Sequence, residues 1–423
     1  MTLTLLLKLT LVTSLFALCH VDNWPQWRGP KADGVSSEKD IVAEWSSDHN
    51  ILWSMKMPGM GGATPVVWED KIFVISELAN STMALLCINT SGKELWRRSL
   101  SEKKSRRARG DEGNAASASP STDGKYVYAF VGTGEFTCFD LEGTKIWQFD
   151  AQERFGKFNI QFGTSSTPAL FQGKLYWQLI DSSHQLVICL DAATGNTIWK
   201  VERPSDGVQE NEHSYASAQI WQKGDKAYLV VHGNDYTTAH ELTDGKELWR
   251  VGELNPKGTR YNPTLRFVAS PAVSPDLIVI PTAKNGPVVA LKPDAQGMIT
   301  AGSPFELWRR LRETPDVPSP LIHDGLVYLC RENGALICMD ATTGKEYYHE
   351  RIHSARYRAS PVYADGKIYC TARDGTVSVF AAGKKFERLS VNKLPDQIAA
   401  SPVISNGRIY LRGFENLYCI GKK

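Results

Sequence analysis

One phrase recurs along the chain: a small residue and a proline, an apolar pair, a tight turn, then an alternating run. It reads ATPVVWEDKIFVIS at Pro65, ASPSTDGKYVYAF at Pro120, STPALFQGKLYWQL at Pro168, ASPAVSPDLIVIP at Pro271, PSPLIHDGLVYLC at Pro320, ASPVYADGKIYCTA at Pro361 and ASPVISNGRIYLRG at Pro402. An eighth copy, YASAQIWQKGDKAYLVV, has Ala218 in the proline position. Successive copies stand between 41 residues (Pro320 to Pro361) and 55 residues (Pro65 to Pro120) apart. A period of that size marks a repeat architecture, in which each unit stacks on its neighbours.

A second phrase follows the first. VICLDAATGNTIWK, residues 187–200, has counterparts in LLCINTSGKELWRRSL, FTCFDLEGTKIWQFD, TTAHELTDGKELWRVG and LICMDATTGKEYYHE. In each, a glycine precedes an aromatic by four residues: Gly92 and Trp96, Gly143 and Trp147, Gly195 and Trp199, Gly245 and Trp249, Gly344 and Tyr348. A degenerate copy, VVALKPDAQG, regains its tryptophan at Trp308 after an insertion. A seventh begins at Val377, and the last, NLYCIGKK, ends the chain.

Every unit reads as β-structure. The apolar pair is a short first strand, DG, QG or NG makes a tight turn, and the β-branched, aromatic run is a second strand. The third strand carries the L-x-C-x-D pattern, glycine supplies positive φ in the next turn, and the fourth strand carries the tryptophan. Four strands in each of eight units, without helical periodicity, predict an all-β, eight-bladed β-propeller of four-stranded antiparallel blades. The last unit lacks its tryptophan strand, and NILWSMKMPG, with Trp53, stands ahead of the first. The two termini therefore share the last blade and close the ring, which removes its free sheet edges. The expected organisation is a propeller over residues 51–423 and an N-terminal arm, 21–50, packed on it. Trp24 and Trp27 serve that packing, or alternatively stack on carbohydrate.

The first twenty residues differ from the rest. MTLTLLLKLTLVTSLFALCH has one lysine and an apolar run from Leu9 to Leu18, short for a bilayer span. It reads as a secretory signal peptide, 1–20, with small-residue cleavage positions at Ala17 and Cys19. Retention as an anchor and lipidation at Cys19 are the alternatives, and membrane association is expected only under one of them. The expected location is periplasmic or secreted. The 48 basic and 46 acidic residues balance to +2, which excludes a nucleic-acid partner on bulk charge.

Export makes the eight cysteines a question of disulfides. The third-strand position reads Cys87, Cys138, Cys189, Ala239, Ala290, Cys338, Val379, Cys419. Thiols and small apolar residues thus share one place per blade, the behaviour of a buried hydrophobe. Cys330 and Cys370 lie in second strands of neighbouring blades, where no disulfide is expected. Asp140, Asp191 and Asp340 are placed to cap turns. The repeated tryptophans are expected to dock between blades.

These motifs identify a resemblance. The blade pattern is similar to that of the pyrroloquinoline-quinone-like (PQQ-like) propeller repeats, A-x-D-x-x-T-G-x-x-x-W, over nearly everything after residue 50. The openings NWPQWRGPKADGVS and EGNAASASPSTDGKYVYAFVGTGEFTCFDLEG resemble exported bacterial propellers of this kind. Two sorts of relative follow. Quinoprotein alcohol and sugar dehydrogenases hold the quinone and a calcium ion at the propeller axis, with an aspartate base. This chain has no adjacent cysteine pair, no C-x-x-C-H haem site and no long inserted loops. BamB-like proteins bind no quinone and act as protein-binding scaffolds, and the chain resembles these in size, signal peptide and blade count.

Loops entering the first strands rim the central funnel of such a repeat. Here they carry the candidate ligand-binding residues Asn114, Gln161, His213, Arg260, Arg266, Asp316, Arg356 and Arg358, with Gln397 beside them. Arg106, Arg107 and Arg109 come from one long connection. An arginine rim focuses an anionic ligand or acidic peptide. The other reading is a solvated rim, with charges offset by Glu112, Glu210 and Glu212. His213 reads as a hydrogen-bonding loop residue. VGTGEF leads into a strand and so is no phosphate loop, and no H-E-x-x-H, G-x-S-x-G or zinc-spaced pair occurs. No catalytic residue, metal ligand or cofactor is assigned. The expected function is that of an exported, non-catalytic binding or scaffold protein of the cell envelope, with an envelope protein or small anionic ligand as partner. The alternatives are a PQQ-dependent alcohol or sugar dehydrogenase with quinone and calcium at the axis, and a propeller that binds an anionic small molecule or a glycan.

Overall fold

The computed structural model describes residues 22–105, 113–255, 257–283 and 286–422. The expected signal peptide with Cys19, together with Arg106, Arg107, Arg109 and Glu112, lies outside them. Eight sheets succeed one another around an axis, and among the described residues regular helix is confined to Ala151–Phe155 and two short 3₁₀ turns. Blade 3 shows the plan, with Ala169–Phe171 innermost, then Lys174–Asp181, His184–Asp191 and Thr197–Glu202. Blade 8 takes Val403–Ser405, Arg408–Arg412 and Asn416–Ile420 from the C-terminus and Ile51–Lys56 from the N-terminus. Trp53 pairs with Cys419 there, so the ring closes as expected.

Two blades exceed four strands. In blade 1, Gly59–Met60 joins Val66–Trp68 on the strand Lys71–Leu78. In blade 4, Gly297–Ile299, from the insertion ahead of Trp308, pairs in parallel with Glu247–Val251.

The innermost strands are tied by a closed circle. The residue before each proline position donates its N–H to the matching hydroxyl of the next blade. Thr64 donates to Ser119 (3.0 Å), Ser119 to Thr167 (3.0 Å), Thr167 to Ser217 (2.9 Å) and Ser217 to Ser270 (2.8 Å). Ser270 donates to Ser319 (2.9 Å), Ser319 to Ser360 (3.0 Å), Ser360 to Ser401 (3.0 Å) and Ser401 back to Thr64 (3.2 Å). All eight residues are buried.

Nearer the circumference a second lock operates. Five of the six fourth-strand tryptophans donate the indole N–H to a turn carbonyl of the following blade: Trp53 to Thr90 (2.9 Å), Trp96 to Leu141 (3.0 Å), Trp147 to Ala192 (3.0 Å), Trp199 to Leu242 (3.1 Å) and Trp308 to Ala341 (2.9 Å). The buried indole N–H of Trp249 has no such acceptor among the described residues. The glycine of that turn receives the ring. A Cβ on Gly195 would lie 2.8 Å from Trp147, and its φ of 71° is itself a glycine conformation. Within a blade, the cysteine position faces the same aromatic, as Cys189 faces Trp199 and Cys338 faces Tyr348. The seven described cysteines are free and buried. Burial pushes thiols such as Cys189 up to about 11. Cys330 and Cys370 meet across blades 6 and 7, where their mutual hydrogen bond and burial hold the Cys330 thiol protonated. Asp140, Asp191 and Asp340 cap their turns, Asp191 accepting from Thr194 N–H at 2.8 Å.

The arm runs beneath the ring. Trp24 is buried against blade 1, and the fully buried Arg28 donates to the carbonyls of Asp33 (2.9 Å) and Pro320 (2.6 Å). Glu38 accepts from the N–H groups of Asn406 and Gly407 in blade 8. Trp45 is buried in the core shared by blades 7 and 8, and its N–H donates to Asn392 (2.9 Å).

Two substitutions test the locks. Ser270→Ala leaves the buried Ser217 N–H without its acceptor and is expected to cost about 1–3 kcal/mol in urea unfolding, whereas Ser270→Thr, which keeps the hydroxyl, is expected to cost less. Trp147→Ala removes a buried aromatic and its hydrogen bond, and is expected to cost about 3–5 kcal/mol in the same measurement.

Candidate functional site

The chain alternates direction along each blade, so the loops entering the first strands and the turns joining second to third strands open at one end of the axis. Two residues ahead of each hydroxyl in the circle, every blade contributes one position to a pocket of about 190 Å³. These positions are Gly62, Ser117, Ser165, Tyr215, Val268, Val317, Arg358 and Ala399. Gly113, Phe162, Arg266 and Arg373 complete the wall. The pocket therefore lies on the axis above the hydroxyl circle, with an aromatic and apolar arc over blades 3 to 6 and three guanidinium groups.

Those cations face carboxylates of the same chain. Arg266 donates to Asp316 at 2.8 Å and stands 3.7 Å from Glu210. Glu332 lies 3.5 Å from Arg356 and 4.0 Å from Arg358. Arg373 donates to Gln397 at 3.2 Å and covers the ring of Phe414 at 4.2 Å. Asp316 and Glu332 share a hydrogen bond between their carboxyl groups. Burial, then that bond and the charge of Asp316, push Glu332 up to about 6, against Arg358 and Arg356. Burial also works against ionisation of Asp316, but the bond from Glu332 and the charges of Arg266 and Arg358 prevail and hold it below its ordinary value. A second depression, of about 420 Å³, continues outward from Asp316 and Glu332 past Arg331, Arg351 and Arg356.

Of the rim residues expected from sequence, Arg266 and Arg358 line the axial pocket, and Asp316 and Arg356 adjoin it. Asn114 shapes the loop ahead of Ser117, its carbonyl oxygen accepting from Ala116 N–H at 2.9 Å. His213 is buried, 2.9 Å from the Ser182 hydroxyl, and burial holds its pKa down against the charges of Asp181, Glu212 and Glu210. Gln161 and Arg260 are exposed and do not line either depression. Glu332 and Arg373 enter from second-to-third-strand turns, a class of loop the sequence reading left out. The strand alternation that puts those turns at the same end was the available signal. Among the described residues, the one group of three acidic or histidine side chains close enough to share an ion is Glu313, Glu346 and His349. It lies away from the axis, and Arg310 already donates to both carboxylates.

The family model described as outer membrane protein assembly factor BamB matches residues 35–144, 133–299 and 295–385. The BamB proteins of Escherichia coli (strain K12) and Salmonella typhimurium are each 26% identical over 217 residues, 51% of this chain and 44% of theirs. The chain thus matches less than half the length of those curated relatives. Among solved structures, BamB from Moraxella catarrhalis superposes with a TM-score of 0.63 at 12% identity, over 88% of this chain and 97% of that one. The quinohemoprotein alcohol dehydrogenase of Comamonas testosteroni superposes at 0.70 and 15% identity, over 95% and 81%. A europium-containing methanol dehydrogenase does so at 0.69 and 13%, over 93% and 90%. At such identities the structural likenesses show the fold alone.

The carboxyl pair gives a pH signature. Between the ordinary value of 4.5 and about 6, the folded state keeps a proton on Glu332 that the unfolded state has lost. Stability contributed at this site therefore falls as pH rises through that window. The Tm of the wild type minus that of Glu332→Gln, measured by calorimetry, is expected to decline from pH 4.5 to 6 and to level off above about pH 7.

Proposed function

The chain belongs to the family of the outer membrane protein assembly factor BamB, and on that premise we propose that it is a non-catalytic binding protein of the cell envelope, a scaffold that holds a protein partner. The observation that carries this reading is the family match from residue 35 to residue 385. The axial pocket supports it. Its guanidinium groups are engaged by Asp316, Glu210, Glu332 and Gln397, so the funnel is largely balanced within the chain.

Quinone-dependent oxidation is the second reading, favoured by the dehydrogenase likeness and by Arg266, Arg358 and Arg373, which suit the carboxylates of pyrroloquinoline quinone. The calcium ion of that reading does not fit the residues present. Calcium takes six to eight oxygen ligands. Here Asp316 and Glu210 face Arg266, Glu332 faces two further arginines, and the cationic groups beside them repel a divalent cation.

Calorimetric titration of the purified protein with pyrroloquinoline quinone, with and without calcium, separates these readings, alongside dye reduction with alcohols and sugars. The expected result is no binding up to about a millimolar, roughly −4 kcal/mol, and no dye reduction. Stoichiometric, calcium-dependent binding with dye reduction would overturn the scaffold reading. Binding without calcium or dye reduction would favour a receptor for anionic small molecules.

A further inference from the structure

At the opposite end of the axis, the arm pairs with the inner edges of first strands. Trp24 N–H donates to Val67 C=O (2.8 Å) and Val67 N–H to Trp24 C=O (2.9 Å). Thr122 N–H donates to Pro25 C=O (2.8 Å), so consecutive arm residues serve consecutive blades. Tyr363 N–H donates to Gly34 C=O and Ser36 N–H to Tyr363 C=O, both at 2.9 Å. Val67, Thr122 and Tyr363 hold one place in the repeat, two residues after the proline position. In blades 3, 4 and 5 that place belongs to Leu170, Ile220 and Val273.

These three residues are presented in the same way. Each sits an odd number of steps from the closing pair of its hairpin: Leu170 opposite Leu175, Ile220 opposite Leu229, Val273 opposite Ile278. The alternation of an antiparallel ladder therefore turns their N–H and C=O groups away from the hairpin and toward the axis. Among the described residues nothing bonds to those groups, because the arm passes from blade 2 to blades 6 and 7 without reaching them. With Ile322 and Phe171 they line a cleft of about 400 Å³, closed on one side by arm residues 30–33. Leu170, Phe171 and Ile220 are only half-buried.

We propose that this cleft docks an extended segment of a partner polypeptide. The segment pairs its backbone with Leu170, Ile220 and Val273 as the arm pairs with Val67, Thr122 and Tyr363, and it carries apolar side chains at alternate positions into the cavity. Addition of a strand to an open edge supplies affinity through the main chain, while the apolar lining selects the side chains. The occupant follows from continuity with the arm, whose own backbone pairing meets the same repeat position in blades 1 and 2 before the cleft and in blade 7 beyond it. The proposal rests on the scaffold reading and gives it a surface.

A displayed library of extended peptides with Val, Leu or Ile at alternate positions, panned on the purified protein, provides the probe. Enriched peptides are expected to lose about tenfold or more in affinity for Ile220→Lys and for Leu170→Lys, a change of about 1.4 kcal/mol. They are expected to keep their affinity for Val391→Lys, which alters an exposed apolar residue on the outer strand of blade 7. N-methylation of alternate peptide amides is expected to abolish binding. Unchanged Tm values show that the variants fold. Absence of enrichment, wild-type affinity for Ile220→Lys and Leu170→Lys, or indifference to N-methylation overturns the proposal. Binding lost on Arg358→Ala but kept on Ile220→Lys overturns this site while leaving the scaffold reading in place. Concentration-dependent dimerisation that the peptides inhibit gives the cleft to the arm of a second copy and overturns the partner assignment.

Discussion

Eight backbone amides beside the axis need acceptors that their own blades do not supply. The Ser or Thr ahead of each proline position finds one in the hydroxyl of the next blade, and the eighth bond returns to the first. Proline contributes twice: it lacks an N–H itself, and it holds the residue before it extended, which keeps the donor aimed along the circle. Blade 4 has Ala218 instead and still keeps its Ser217, so the hydroxyl is what the circle requires and the proline only favours it.

The tryptophan lock serves the wider radius, and its lapses account for the irregular parts of the molecule. Blade 5 carries KPDAQG in place of the turn whose glycine receives a neighbouring tryptophan in blades 1 to 4 and 6, and Gly297 has no side chain against it. There the insertion folds back as a fifth strand on blade 4, and Tyr228 donates to Pro293 across the junction at 2.7 Å. Blade 7 has Ser390 at the aromatic position, and blade 8 beyond it has a chain break in place of a turn. Trp45 of the arm is buried at that junction, and Gly421 N–H donates to Asn50 C=O where the termini meet. The arm is thus part of the packing of the ring.

The propeller was legible because its determinants are local and repeated eight times. Gly195 four residues before Trp199, or Asp191 ahead of its turn, announces a blade in any copy, and Trp53 announces the missing strand. The fifth strand was not legible, since three residues, Gly-Met-Ile, carry no strand pattern of their own and are recruited by the edge they meet. The axial site was legible in part. Arg266, Arg358 and Asp316 follow from the loops that enter first strands. Glu332 and Arg373 stand in turns whose sequences, ENG and RDG, look like ordinary hairpin connections. That Glu332 shares a proton-holding contact with Asp316 depends on a convergence of blades that spacing along the chain does not encode. Gln161 and Arg260 occupy the right loops yet point to solvent, because membership of a loop does not set the direction of a side chain.

The seam of the ring joins the first and last strands of the propeller in chain order. The strand Ile51–Lys56 is made ahead of every other blade strand but finds its partner, Asn416–Ile420, only after the seven intervening blades have been made. Until then it keeps an open edge, with Trp53 able to dock on Thr90 and Gly92 of blade 1 but not to pair. Contacts of such large sequence separation form slowly and late, since loop closure must precede them. Seven blades can stack by accretion from neighbour to neighbour, while the eighth is assembled only as the ends meet. An arc that has stacked its blades but not joined its ends is therefore the vulnerable state of this molecule, and the adhesive edge it presents is that of blade 8.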